Sequence, residues 1–218
     1  MHPNPVFRGR PASANLDFAR QRSFGQLSVN GSFGPFAAHV PFVLSDDGRE
    51  AVLHLTRSNP ITRLMDQSLP ALLSVSGPDA YVSPDWYGLP DQAPTWNYVA
   101  VHMRGALERL PDDQLESVLD RLSESFETRL APKTPWTASK MEPELRARLM
   151  RSIVPMRLVV EDVDGTWKLA QNKPDEGRLG VADALKDGFG HEVAELSALM
   201  RQLPEDPPEE MDSEQQAS

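Results

Sequence analysis

Residues 95–108, TWNYVAVHMRGALE, alternate strictly: Val99, Val101, Met103 and Leu107 fall on one face, Trp96, Tyr98, Ala100, His102 and Arg104 on the other. Period two over fourteen residues describes a long β-strand rather than a helix, and its aliphatic face belongs to a core. The opposite face is too polar for a core and too aromatic for idle surface. Aromatics mixed with arginine are enriched where subunits meet, so a dimer interface, the wall of a cofactor cleft and packing beneath a helix are the three readings it supports.

Upstream, FGQLSV at 24–29 and FAAHVPFVL at 36–44 flank a Gly-Ser-Phe-Gly turn and read as a hairpin. REAVLHLT at 49–56 follows the turn Ser45-Asp46-Asp47-Gly48 as a third strand, and PALLSVSG at 70–77, extended by Tyr81 and Val82, as a fourth. ANLDFARQR at 14–22 reads as a short helix with Asn15 as its cap, and Asn59-Pro60 opens another through about Gln67. Downstream, Leu115, Val118, Leu122 and Phe126 share a helical face within 112–130, and a further helix covers about 142–151. Residues 154–173 read as a final hairpin turning at Asp164-Gly165, and helices at about 175–186 and 190–202 close the pattern. Strands in meander order with helices outside them indicate a mainly β, α+β fold closed into a barrel, since alternating βαβ units are absent.

The 218 residues, 39% hydrophobic, suffice for one domain, placed here at 1–203. The net charge is −10, of which the terminal PEDPPEEMDSEQQAS (204–218) holds six acids and no base; that composition reads as a solvated, disordered tail. The remainder carries −4 and shows no basic patch, which argues against direct nucleic-acid binding. There is no cysteine, so thiolate chemistry and disulfides are excluded. No apolar run approaches the ~20 residues of a membrane span, and the first residues lack a secretory apolar stretch, so a soluble, cytoplasmic chain is expected.

HPNPVF (2–7), HVPFVL (39–44), HLTRSNP (54–60), GPDAYVSPDWY (77–87), APTWNYVAVHMRG (93–105) and WKLAQNK (167–173) together resemble the PaiB-type FMN-binding negative transcriptional regulators, over about residues 2–186. The resemblance implies a split β-barrel of the flavin-reductase and pyridoxamine-phosphate-oxidase type, a homodimer, and FMN held in clefts at the subunit interface. A related branch, similar to piperazate synthases, takes haem b on a histidine that corresponds to His54. Leu53 stands where that branch's pattern has glycine, adding bulk beside the histidine. A member that has lost its cofactor and acts as a scaffold is the third reading.

His54 shares a strand face with Val52 and Thr56, and a neutral imidazole there can ligate iron, donate to a flavin, or serve as an ordinary buried histidine. Arg57 and Ser58 precede the 60–67 helix, where a guanidinium, a hydroxyl and free backbone N–H groups would suit a phosphate; a capped helix beside a surface arginine is the plainer alternative. Lys168 and Gln171, with Asn172, lie in the WKLAQNK segment, where a lysine can neutralise a flavin phosphate or a haem propionate, or simply be solvated. Trp86 and Tyr87 suit either a flap over a cleft or packing onto the barrel end. His39 is a weaker candidate. No phosphate-binding glycine loop, helical histidine pair or nucleophile elbow is present.

Overall fold

The computed structural model describes residues 1–203; the acidic run at 204–218 lies outside the described residues. The described residues form two compact units, one comprising 1–77 and 99–167, the other 78–98 and 168–203.

In the first unit, α1 (Ala12–Arg22) leads into strands β1 (Phe24–Gly31), β2 (Gly34–Pro41), β3 (Val43–Leu44) and β4 (Glu50–Thr56). A one-turn helix α2 (Pro60–Arg63) precedes β5 (Leu69–Val82) and β6 (Thr95–Arg109). Helices α3 (Leu115–Glu127) and α4 (Pro143–Met150) then lead to β7 (Ile153–Lys168). The antiparallel sheet runs β2-β1-β5-β6-β7-β4-β3. Its first unit buries Leu27, Phe42, Leu53, Leu73, Val101, Met103, Met156 and Leu158 completely. The aliphatic face of β6 is among them: Val99, Val101, Met103 and Leu107 are at most 2% exposed, as period two requires. The architecture is the split barrel with peripheral helices that the strand pattern and the resemblance imply.

Three readings are corrected. The expected strand 36–44 breaks at Phe42, whose amide turns to donate to the Ser23 carbonyl at 3.0 Å. Asn15 is not a cap: it lies within α1, buried, and its Oδ1 accepts the Trp167 indole N–H at 2.8 Å. No hairpin forms at Asp164-Gly165: β7 runs through both residues. A Cβ at 165 would collide with Asn15 Oδ1, so the glycine makes room for Asn15 beneath a strand that continues without a turn to Lys168.

The N-terminal segment is tied to that strand, with the His2 amide donating to Thr166 Oγ1 at 3.1 Å and Arg8 Nε to Asp164 at 3.1 Å. Helix α3 lays Val118 and Leu122 against Val52 of β4, with Val43, Leu110 and Phe126 packed around them. Each such side chain removed from water contributes about 1.5–3 kcal/mol, which suffices to seat the helix.

In the second unit, α5 (Asp175–Ala184), β8 (Gly190–His191) and α6 (Val193–Arg201) join residues 78–98. Strand β8 pairs with β5 through Asp79 and Ala80. Buried Arg178 donates to the Met200 carbonyl at the end of α6 and to Asp175 at 2.7 Å, linking the two helices.

Candidate functional site

His54 pairs across the sheet with Pro155, on the β4 face that also carries Val52. Its neighbours Ala51, Leu53 and Leu55 point the other way into the core and are 0–3% exposed. Leu53 therefore adds no bulk beside the imidazole, because strand alternation sends it through the sheet. Val52 and His54 instead lie on the side that α3 covers. The His54 Nδ1 is buried and has no hydrogen-bond partner among the described residues. Burial pushes the imidazole below its ordinary pKa, so the ring is neutral at pH 7.

Three residues on, the strand ends and Arg57 turns outward. Its amide donates to the Ser152 carbonyl and its Nε to the Arg151 carbonyl, both at 2.8 Å. The free end of the guanidinium donates through Nη2 to Asp112 Oδ2 at 2.9 Å, while Arg109 Nη2 donates to Oδ1 of the same carboxylate at 3.0 Å. The hydrogen bond from Arg109 and then that from Arg57 hold the Asp112 carboxyl below the usual range. Two guanidiniums thus embrace one oxyanion.

The other half of the expected phosphate pocket is different. The helix expected through Gln67 is a single turn, and Asn59 caps it by accepting the Ile61 amide at 2.9 Å. Ser58 Oγ donates to Thr56 Oγ1 at 3.4 Å.

Lys168 and Gln171 belong to the second unit, whereas His54, Arg57 and Ser58 belong to the first. Lys168 Nζ donates to Thr95 Oγ1, and burial lowers its pKa. Gln171 Oε1 accepts the Leu169 amide at 2.8 Å, closing a tight turn in which Ala170 takes a φ of 60°; Asn172 is exposed. Trp86 and Tyr87 form a 3-10 turn against α5: Tyr87 is buried, and a Cβ at Gly180 would lie 2.8 Å from the Trp86 carbonyl oxygen. They pack within their own unit.

The second face of β6 is half-buried along most of its length. In the first unit, His102 and Arg104 lie together, with Arg104 Nη2 at 3.5 Å from His102 Nδ1 and Nη1 bonded to Asp162 at 3.0 Å. Burial, then Arg104, lowers the His102 pKa. In the second unit, Trp96 meets Phe189 edge to face at 5.7 Å, and Phe189 stacks on Tyr81 at 5.3 Å. His39 is exposed and stacks on Phe24. Among the described residues no cluster of three His, Asp or Glu side chains is arranged to hold a metal ion, and no helix is long and apolar enough to cross a membrane.

Sequence reasoning missed Asp112, Arg109 and the Arg151 carbonyl. Arg109 and Asp112 are three apart and could have been paired from spacing, but 55 residues separate Arg57 from Asp112 and no local signal joins them.

Residues 1–162 match the family described as "Putative FMN-binding domain". The chain belongs to this family. Over 196 residues it is 30% identical to "Protease synthase and sporulation protein PAI 2" of Bacillus subtilis, covering 89% of this chain and 93% of the relative. Among solved structures, the FAD and haem binding protein from Mycobacterium smegmatis is similar at a TM-score of 0.56 and 18% identity, over 85% of this chain and 82% of that one. The flavocytochrome Anf3 from Azotobacter vinelandii is similar at 0.53 and 11% identity, over 77% and 72%. These structural likenesses establish the shared fold. The protein is thus a flavin-binding split-barrel member of the FMN-binding family. The arginines around Asp112 fit the FMN phosphate in chemical kind, because they already hold a carboxylate between them.

Proposed function

We propose that the protein is a PaiB-like FMN-binding regulator or sensor, cytoplasmic and homodimeric, in which flavin binding alters a protein contact rather than a direct grip on DNA. The observation that carries the reading is the double guanidinium at Asp112, beside the half-buried, neutral His54 strand. Arg57 would hold the phosphate, with Ser58 at its side. Lys168 and Gln171 would contribute to a cofactor site, and His54 would donate a hydrogen bond from its neutral ring. Bound FMN supplies a redox-active ring system, and the protein supplies orientation and exclusion of water. The half-buried face of β6 is the proposed subunit contact, and with it the dimer places a cofactor cleft at the boundary. The net charge of −10 supports an indirect effect on transcription.

The purified protein, titrated with FMN, is expected to quench flavin fluorescence and to retain the visible flavin spectrum through gel filtration. A colourless protein indifferent to added FMN would refute the assignment. Tight, sequence-dependent DNA retardation at physiological salt would overturn the indirect mode of action.

A haem-dependent oxidoreductase with His54 as axial ligand is the second reading. The neutral imidazole favours it, since iron binds the unprotonated ring. Two proteins of the same fold also carry haem or cytochrome in their names. A Soret band lost in His54→Ala supports this reading; a Soret band unchanged in that variant rejects His54 as the ligand.

A further inference from the structure

We propose that Asp112 is a built-in competitor for the phosphate site, occupying the fork of Arg57 and Arg109 until an external phosphate monoester displaces it. The proposal rests on the reading of Arg57 as a phosphate-holding residue and adds two residues to it: Arg109 as a second anion donor and Asp112 as an internal counter-anion.

Four features support it. First, the geometry is that of an oxyanion site: one carboxylate, two oxygens, and one guanidinium N–H on each at 2.9 and 3.0 Å. A phosphate monoester presents paired oxygens at a similar spacing and a larger charge. Second, Arg57 has an anchor besides Asp112. Arg57 is held by its Nε on the Arg151 carbonyl, independently of the carboxylate. Arg109 ends strand β6, so its backbone position is set by the sheet. Third, Asp112 is easily moved. It follows Leu110-Pro111 in an exposed connection and opens a three-residue 3-10 turn, with its side chain 54% exposed. Exposed ion pairs of this kind contribute little to folding, so their exchange for a stronger ligand costs little. Fourth, there is room for a ligand beside it. A cleft of about 630 Å³ is walled by Glu108, Arg109 and Asp112 on one side and Asp66–Ser68 on the other. Glu108 is held by Arg157, at 2.8 Å to Nη2, which leaves Arg109 directed to Asp112.

The consequence is a raised threshold. The protein binds a phosphorylated flavin only when that ligand outcompetes its own carboxylate, and a flavin without phosphate gains nothing from Asp112 leaving.

The test compares FMN with riboflavin by fluorescence titration of wild type, Asp112→Asn, Arg109→Gln and Arg57→Gln, with each variant's urea midpoint checking its fold. Asp112→Asn is expected to bind FMN about three- to tenfold more tightly, the range expected for releasing two exposed ion pairs, with riboflavin affinity unchanged. Arg109→Gln and Arg57→Gln are expected to weaken FMN and leave riboflavin unchanged. If Arg57→Gln weakens FMN while Asp112→Asn matches or falls below wild type, the competitor role is overturned and the phosphate assignment stands. If Arg57→Gln leaves FMN affinity intact, or wild type binds no FMN, the phosphate assignment fails and the competitor role falls with it. Tighter binding of both FMN and riboflavin to Asp112→Asn would also overturn the proposal, because the effect would then not involve the phosphate.

Discussion

Trp167 donates its indole N–H to Oδ1 of Asn15 at 2.8 Å, joining the first helix to the last long strand across 152 residues. Phe18 meets the Trp167 ring edge to face at 5.3 Å, and the Arg10 guanidinium lies 5.1 Å from its centroid. Replacing Asn15 by leucine leaves the buried indole N–H without an acceptor. The expected loss is about 1–3 kcal/mol of unfolding free energy, measured by urea denaturation followed through tryptophan fluorescence. A change below a few tenths of that would mean that the bond is not a determinant of stability.

Leu122 is 5% exposed and anchors α3 over Val52. Leu122→Ala should cost about 2–5 kcal/mol. It should also loosen the cover over that side of β4, so that the His54 resonance, followed by NMR, titrates closer to an ordinary histidine. An unmoved His54 titration in a folded Leu122→Ala protein would show that the imidazole is desolvated by something other than α3.

His54 and His102 both have folded-state pKa values below the ordinary histidine value, His54 through burial and His102 through burial and then Arg104. The unfolded chain therefore binds protons more readily than the folded one in the window below the ordinary value of about 6.5. Their contribution is fully present above that pH and is lost as pH falls toward the depressed folded values. The urea midpoint should drop between pH 7.5 and 5.5, and His54→Gln should make the drop smaller. Equal pH dependence in wild type and variant would remove His54 from this account.

Gly180 lets α5 approach the Trp86 carbonyl to a distance that leaves no room for a Cβ. Gly180→Ala should destabilise the second unit by about 1–3 kcal/mol, because the obstruction is backbone rather than a flexible side chain. Limited proteolysis should then cut within 84–98 or 168–190 sooner than in wild type. An unchanged digestion pattern would indicate that the helix can shift at no cost.

Sequence periodicity by itself determined the parts whose forces are local. Alternation along 95–108 identified the strand and its buried face, and the spacing of Leu115, Val118 and Leu122 identified the amphipathic helix, because each pattern directly encodes which side meets the core. The order of short motifs carried the family, yet not what the motifs do. Strand β7 meets HPNPVF through the His2 amide on Thr166 and meets α1 through Asn15, which accepts from Trp167, contacts between residues more than 150 apart. Only the tertiary structure showed that the glycine of Asp164-Gly165 serves close packing against Asn15 of α1 within a continuous strand rather than a turn. Only it brought Asp112 between Arg57 and Arg109. Charge and type for each of these residues are written in the chain, but which charge meets which is set by the packing of β4, β6 and the connection to α3.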